Sequence, residues 1–251
     1  MMCEDDMLEL LHRACGGGEI NEVRRLLDQG AKVNDAITGQ SQTALFCAAA
    51  RGHADICVLL IEGGANVQNA KNNESCPLST AVFWGHKEVC SILLHHGADP
   101  NLFDSGGRTP LSIGAWLGHA EICDLLLNYG ADVNLPQKSD GSPPLMLSTY
   151  SQNTQTDIDT RVETCTALLD HGANVDLTDE LGRTTLMDVA FKGDEEICKL
   201  LLERGANLRI LDIDGRTAID AALERGHRSI VDMLKCWGAS EKAEDFSQGK
   251  R

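Results

Sequence analysis

The sequence predicts an all-α solenoid, in which short helix-turn-helix units follow one another along nearly the whole chain. Three observations lead to this prediction: a Gly-Ala pair recurs at a nearly constant interval, each interval carries two short segments with helical apolar spacing, and a glycine separates those segments. The interval is 33 or 34 residues, except for one of 42. The pairs begin at Gly30, Gly64, Gly97, Gly130, Gly172, Gly205 and Gly238. A period of this length is typical of stacked repeats, which bury their apolar faces against their neighbours.

The clearest copy of the unit runs from Thr109 to Asn134, and its residues suit each element in turn. Thr109 is a residue type that caps helix N-termini, and Pro110 fits the first helical position, where a missing N–H costs nothing. We expect Gly118 to end the first helix and Gly130 to follow the second in the left-handed conformation. Neither helix is long enough to be stable alone, so both depend on neighbouring units.

This pattern, T-P-L-x-x-x-A-x-x-G-H-x-E-I-x-x-L-L-L-x-x-G-A-D-V-N, resembles the ankyrin repeat, and the resemblance extends from about Met7 to Ser240. It implies that each helix pair is followed by a projecting hairpin loop and that the stack forms a concave groove. The first and last units depart from the pattern and resemble terminal caps. We therefore predict a single domain over residues 1–240, with repeats at about 7–36, 43–69, 76–102, 109–135, 143–177, 184–210 and 217–240.

Three departures from the pattern lead to separate expectations. The family's His after Thr-Pro-Leu is kept only as His12, which predicts weaker hydrogen bonding between repeats. Polar residues over 151–161 lengthen the fifth repeat and predict a surface-loop insertion. The charged residues 241–251 predict a disordered tail.

The amino-acid composition restricts the classes of partner that we expect the protein to bind. The formal net charge is -16, from 38 acidic and 22 basic residues, which disfavours nucleic acid because phosphate must be neutralised by Lys and Arg. We expect a monomer that binds an apolar or basic protein or peptide. No segment approaches the roughly 18 consecutive apolar residues of a membrane span, and the acidic N-terminus is unlike a secretory signal. These features predict a cytoplasmic or nuclear protein that does not bind membranes.

The cysteines agree with that compartment. Five of the ten occupy one position in successive repeats: Cys57, Cys90, Cys123, Cys165 and Cys198. Stacked helices lie roughly 8–10 Å apart, whereas a disulfide needs Cα atoms within about 7 Å. The pattern therefore predicts a reduced, buried column rather than a disulfide framework.

No residue pattern indicates catalysis, a cofactor or a metal site. The run Gly16-Gly17-Gly18 lacks the Gly-Lys-Ser/Thr of a phosphate-binding loop and falls in a predicted turn. A second group of residues shares one position of the repeat, namely His53, His86, His119 and His227. Because neighbouring repeats are a helix-packing distance apart, one zinc ion, with ligands at about 2.0–2.1 Å, could not collect them. We therefore expect a protein that is not an enzyme.

Apolar and aromatic residues instead concentrate at the two positions before the turn that ends the first helix. In ankyrin repeats these positions face the groove, where partners commonly bind. We expect partner contacts from Phe83, Trp84, Trp116, Leu117, Tyr150, Phe191 and Leu223. The alternative is that these side chains pack against one another within the stack. A second candidate surface is formed by apolar residues of the hairpin tips, Leu102, Phe103 and Ile213.

The predicted function is a non-enzymatic protein-binding module, an adaptor or scaffold that acts through the groove. Two alternatives remain open. Ankyrin repeats are substrates of an asparaginyl hydroxylase, and Asn134 fits its preference, with Leu126, Asp132 and Val133 before it; Asn101 fits less well. A pathogen effector that occludes a host protein would share the same sequence features.

Overall fold

The computed structural model describes residues 4–36, 42–68, 76–150 and 158–248. These residues form helices and turns with no β-strand, which confirms the all-α class; two isolated β-bridges join Ala36 to Thr43 and Thr178 to Thr184. The helices follow one another in pairs: α1 (Glu4–Gly17), α2 (Ile20–Asp28), α3 (Ala44–Arg51), α4 (Ala54–Glu62), α5 (Pro77–Phe83), α6 (Lys87–His95), α7 (Pro110–Leu117), α8 (Ala120–Asn128), α9 (Pro144–Leu147), α10 (Ile158–Asp170), α11 (Thr185–Lys192), α12 (Glu195–Glu203), α13 (Ala218–Arg225) and α14 (Arg228–Gln248).

The chain divides into two compact units, where the sequence predicts one continuous domain over 1–240. Unit 1 comprises Met1–Asp132 and contains α1 to α8, and unit 2 comprises Val133–Arg251 and contains α9 to α14. The boundary precedes the repeat that departs most from the common pattern. Each unit is described by itself below.

The first helices of the repeats begin as the sequence predicts. Thr109 caps α7 by accepting a hydrogen bond on its hydroxyl from the Ser112 N–H at 3.1 Å, and Pro110 is the first helical residue. Cys76 replaces the cap threonine before α5, and its sulfur accepts from the Ser79 N–H at 3.4 Å. The predicted cap and first helical residue are confirmed.

The predicted helix ends are also confirmed. Gly118 ends α7 with φ 76°, and Gly130 follows α8 with φ 87°. Both values lie in the left-handed region that favours glycine. Each helix pair therefore turns within a few residues, and this compact turn brings the start of the second helix close to the preceding repeat.

A histidine in this turn links each of four repeats to the repeat before it. The ring Nε2–H donates to a main-chain carbonyl at the end of the preceding first helix. The distances are 3.3 Å from His53 to Gly16, 3.3 Å from His86 to Ala50 and 3.1 Å from His227 to Phe191, and His119 bonds in the same way to the backbone of Phe83. We call this arrangement the Gly-His joint, because the ring also stands against a turn glycine of the preceding repeat. At Gly52, for example, an added Cβ would lie 2.7 Å from Nδ1 of His86.

Side-chain amides in the loops form a second set of hydrogen bonds between repeats. These bonds do not involve the position after Thr-Pro-Leu, where the missing family histidine predicts weaker bonding. The Nδ2 group of Asn101 donates to the Gly130 carbonyl at 3.1 Å, and its Oδ1 accepts from the Asp132 N–H at 2.8 Å. Asn34 and Gln68 make the same pair of bonds to their following repeats. His12 makes its own link, donating from Nε2 to the Gln42 carbonyl at 3.0 Å.

The predicted cysteine column is buried. All five thiols are inaccessible to solvent, and none of the cysteines in the described residues forms a disulfide. Burial raises the pKa of Cys57, Cys90 and Cys198 to about 12 and that of Cys165 to about 11. Since the thiolate is the reactive form, these groups are chemically inert at neutral pH.

The fifth repeat differs from its prediction at both helices. The helix α9 has only four residues and ends at Leu147, not near Tyr150 as the spacing suggests. The helix α10 begins at Ile158, so the last part of the predicted 151–161 loop is helical. Asp159 favours this earlier start, because an acidic residue in the first turn interacts well with the helix dipole. Residues 151–157 of the predicted insertion lie outside the described residues.

The helix α14 extends over residues 241–248, part of the segment for which the charged composition predicts a disordered tail. The helix α14 continues through Gly238, where the seventh repeat was expected to turn, and reaches Gln248. Its last part is rich in Glu, Lys and Ala, which are strong helix formers. Residues 249–251 lie outside the described residues.

Two glycine substitutions in unit 2 test the Gly-His joint. Gly193 and Gly205 have φ of 90° and 84°, so alanine at either position costs about 1–2 kcal/mol in backbone strain. At Gly193 the new Cβ would lie 2.6 Å from Cε1 of His227, whereas at Gly205 no described heavy atom lies within 4 Å beyond its chain neighbours. Displacing the His227 ring also breaks its bond to Phe191, so we expect Gly193→Ala to lose about 1 kcal/mol more unfolding free energy than Gly205→Ala in urea titrations. Equal losses would contradict the joint.

Candidate functional site

The aromatic positions of unit 1 form a partly exposed apolar surface. Phe83 ends α5 and Trp84 caps it, while Trp116 and Leu117 are the last two residues of α7. We call these four residues the aromatic face. Phe83 is 39% exposed and Trp84 is 60% exposed, whereas Trp116 and Leu117 are half-buried. Trp84 therefore stands out from the surface more than the other three residues do.

The two exposed rings are fixed against each other. The centroids of Phe83 and Trp84 are 5.3 Å apart, with the ring planes at 84° in an edge-to-face arrangement. They border an open pocket of about 270 Å³. Its lining also includes Phe46, Ser79, Thr80, Arg108 and Ile113. The pocket is thus mainly apolar, with one guanidinium at its rim.

That guanidinium is already paired. Arg108 donates from Nη2 to Oδ2 of Asp104 at 2.8 Å and from Nε to the same oxygen at 3.0 Å. The Asp104 carboxylate is almost fully buried, whereas the Arg108 side chain remains partly exposed. The pair holds the planar guanidinium in one orientation and leaves the pocket without a net charge from these two groups.

The predicted aromatic positions of unit 2 are covered by cations. The Lys192 Nζ lies 3.7 Å from the centroid of the half-buried Tyr150 ring. The Arg225 guanidinium carbon lies 4.1 Å from the centroid of Phe191, also half-buried. Burial, followed by the nearby Asp188, raises the pKa of Tyr150 to about 12. These two rings therefore take part in cation–π packing within unit 2.

The same region of unit 2 replaces the Gly-His joint by an ion pair. Position 194 follows the turn glycine, where four other repeats have histidine, but it holds Asp194, which has no proton to donate. Arg161 donates to its two carboxylate oxygens at 2.6 and 3.0 Å and also reaches the Thr149 carbonyl at 3.4 Å. Lys192 donates to the same carbonyl at 3.1 Å and to Asp188 at 2.6 Å. The backbone at the end of the short α9 is thus satisfied by side chains.

Leu223 does not belong to the two aromatic positions. The helix α13 ends at Arg225 before Gly226, so the two positions are Glu224 and Arg225. Leu223 corresponds instead to Ala190 of α11, which is fully buried. Leu223 is 55% exposed, and the prediction that it occupies one of the two aromatic positions is wrong by one residue.

Comparison with known proteins identifies the family to which these repeats belong. The family model described as ankyrin repeats (3 copies) matches the chain over residues 11–104, 64–137 and 158–245. The chain belongs to the ankyrin-repeat family. Ankyrin repeats generally mediate protein–protein interactions, and their domains are typically non-enzymatic.

Solved ankyrin-repeat domains have the same fold. The domain of human ASB11 is 26% identical, with a TM-score of 0.73, and the match covers 89% of this chain and 96% of that one. The ankyrin-repeat domain of Bcl-3, a member of the IkappaB family, is 22% identical, with a TM-score of 0.74 and coverage of 90% and 97%. At that identity the second likeness shows the fold alone. No curated protein matches the chain.

The hairpin tips of this ankyrin-repeat chain differ in exposure. Leu102 and Phe103 of unit 1 are half-buried, whereas Ile213 of unit 2 is 68% exposed. Leu211 and Leu181 are also exposed. The sequence pattern does not single out Leu181, which lies one residue before a turn glycine and resembles an ordinary loop residue.

The two asparagines proposed for hydroxylation have structural partners. Asn101 links two hairpins of unit 1 through both atoms of its amide. Asn134 accepts on Oδ1 from the Asn174 N–H at 2.8 Å in unit 2. These contacts account for Asn at both positions without any modification, and hydroxylation stays a prediction.

Two ion pairs provide a matched test of the contacts in the fifth repeat. Arg161 and Asp194 are both mostly buried, whereas the pair between Lys87 and Glu121 is exposed to solvent. Arg161→Ala leaves a carboxylate and the Thr149 carbonyl with fewer donors, so we expect a loss of about 2–3 kcal/mol in unfolding free energy. Lys87→Ala should cost less than about 1 kcal/mol. Chemical denaturation measures both, and similar small losses would show that the Arg161 contacts contribute little.

Proposed function

We propose that this ankyrin-repeat chain is a non-enzymatic adaptor that binds a partner protein through the aromatic face of unit 1. The observation that supports this most directly is the exposure of Trp84, which is 60% accessible beside a 270 Å³ pocket. Tryptophan is the residue most enriched among the side chains that dominate binding energy at interfaces. The exposed apolar surface of Trp84 contributes hydrophobic free energy only when a partner removes it from water.

The geometry favours binding with little conformational loss. The edge-to-face contact between Phe83 and Trp84 fixes both rings, and the Asp104 pair fixes Arg108 at the pocket rim. Fewer rotamers are therefore frozen when a partner binds, and less of the interaction energy is lost to ordering. A single apolar side chain of the partner would fill the pocket between these groups.

The partner is proposed to combine that apolar anchor with basic residues. The formal charge of -16 attracts positive segments and repels acidic ones. We also propose that the protein is a monomer and that it acts in the cytoplasm or nucleus as an adaptor or scaffold. It leaves Tyr150 and Phe191 out of the contact surface, because Lys192 and Arg225 already cover their rings.

Asparaginyl hydroxylation and a role as a pathogen effector remain separate hypotheses. Oxidation of Asn134 would appear as a mass increase on the peptide that contains it, measured on protein from its native source. Neither hypothesis conflicts with binding through the aromatic face.

Replacing Trp84 tests the proposal. Because the side chain is mostly exposed, Trp84→Ala should change the unfolding free energy by less than about 1 kcal/mol. It should nevertheless weaken partner binding by about 2 kcal/mol or more, a loss of about 30-fold in affinity. Quantitative mass spectrometry of proteins captured by the immobilised chain from an extract of its source cells identifies the partner, and titration then measures the affinity.

Tyr129→Ala is the matched control, since Tyr129 is 42% exposed and lies outside the aromatic face of the same unit. This variant should capture the same proteins as the wild type. The double variant Trp84→Ala with Trp116→Ala should lose more binding and some stability, because Trp116 is half-buried. Unchanged capture by Trp84→Ala, or equal losses in Trp84→Ala and Tyr129→Ala, would overturn the proposal.

A further inference from the structure

The hairpin tips of unit 2 are joined by main-chain hydrogen bonds in a regular order. In the first step, the Glu180 N–H donates to the Asp140 carbonyl at 2.9 Å. Asp140 is followed by Gly141, with φ 72°, and an added Cβ there would lie 3.1 Å from the Glu180 nitrogen. The glycine is therefore needed for the next hairpin to approach this closely.

The second step repeats the first. The Ile213 N–H donates to the Leu181 carbonyl at 3.0 Å. Leu181 is followed by Gly182, where an added Cβ would lie 3.3 Å from both the Asp212 Cα and the Ile213 nitrogen. In each step, then, a carbonyl and the glycine after it form a place where the following tip packs.

The last hairpin has the equivalent carbonyl and glycine, but no following tip of the described residues packs against them. Asp214 and Gly215 are the equivalent carbonyl and glycine, and Gly215 has φ 74°. Among the described residues, no backbone N–H donates to the Asp214 carbonyl, and no heavy atom beyond the chain neighbours lies within 4 Å of a Cβ added at Gly215. We call residues 211–216 the terminal tip.

The terminal tip is also apolar where a repeat at the end of a stack is expected to be polar. Ile213 and Leu211 are 68% and 56% exposed, whereas Asp212 between them is buried. The two apolar side chains thus project on either side of an inward-pointing carboxylate. Ile213 is the most exposed large hydrophobic side chain of the described residues.

The charges around the terminal tip are unbalanced. Arg216 forms ion pairs with Asp212 at 2.9 Å, Asp214 at 2.9 Å and Glu224 at 3.5 Å. One guanidinium thus faces three carboxylates, of which Asp214 and Glu224 have mostly exposed side chains. An added positive charge would be attracted here, and an acidic segment would be repelled.

We propose that the terminal tip binds an extended segment of a partner protein in which apolar and basic residues alternate. A main-chain N–H of the segment donates to the Asp214 carbonyl, continuing the order of the two internal steps. An apolar side chain covers Leu211 and Ile213, and a Lys or Arg lies against Asp214 and Glu224. Main-chain bonds give affinity and alternate side chains give selectivity, as in other cases of strand addition. This surface does not depend on the aromatic face of unit 1.

A second copy of this chain fits the site less well. Two terminal tips packed on each other would bring the unbalanced carboxylates of both copies together, and like charges in an interface are unfavourable. A partner segment that carries Lys or Arg avoids this repulsion, which is why we assign the site to it.

The test uses the full chain and a random dodecapeptide display library. Peptides are selected on the wild-type protein, synthesised, and titrated by fluorescence anisotropy against wild type and variants. We expect enriched sequences that combine apolar residues with Lys or Arg. Their affinity should fall at least tenfold with Ile213→Asp, which removes the apolar contact and adds a negative charge to the tip.

Gly215→Asn is the second variant. Asn tolerates the left-handed conformation better than other side chains, so the hairpin is retained while the new side chain fills the space needed by the segment. It should also reduce affinity at least tenfold. Circular dichroism verifies that both variants fold. Tyr129→Ser in unit 1 removes another exposed ring and should leave binding of these peptides unchanged.

Three results would overturn the proposal. The first is that selection yields no peptides, or only acidic ones. The second is that the selected peptides bind folded Ile213→Asp and Gly215→Asn as tightly as wild type. The third is that sedimentation velocity shows wild-type dimers that Ile213→Asp dissociates, since this would assign the terminal tip to a second copy. Loss of peptide binding in Trp84→Ala alone would place the peptides on the aromatic face instead.

Discussion

Four of the repeats stack on the repeat before them through the Gly-His joint, in which an imidazole donates to the end of the helix in the preceding repeat. The joint works because glycine leaves space for the ring and adopts the left-handed turn at the same time. It satisfies a carbonyl at a helix end that would otherwise have no intrahelical partner. Once the joint is formed, the second helices are close enough to bury their apolar stripe, and the loop amides come within hydrogen-bond reach of the next hairpin.

Much of the fold could be predicted from the sequence because the repeat encodes the same local physics many times. Thr109, Pro110, Gly118 and Gly130 act locally, through caps and turns, so their roles follow from residue type and spacing. The cysteine column could be predicted because a fixed position in every repeat implies one environment. The fifth repeat could not, since the ion pair that replaces the Gly-His joint there joins Arg161 and Asp194, which are 33 residues apart.

The candidate site could be predicted only in part. Position along the helix identified Phe83 and Trp84, but it could not show that Lys192 and Arg225 cover the corresponding rings of unit 2. The partners of the turn histidines are main-chain carbonyl groups, which the side-chain pattern does not reveal. Leu223 shows the sensitivity of such reasoning to register, because an error of one residue assigned to it the position that Glu224 occupies.

The shortness of α9 has a consequence for the motions of unit 2. A four-residue helix closes hardly more than one turn, and Ser148 and Thr149 donate back to the Leu145 and Met146 carbonyls at 2.7 and 2.8 Å to complete its end. The amides of Met146 to Tyr150 still donate to backbone carbonyls, but this run of bonds is shorter than in the other helices of unit 2. Fewer backbone bonds must break to open it, so α9 should exchange its amides faster than the longer helices α10 to α13.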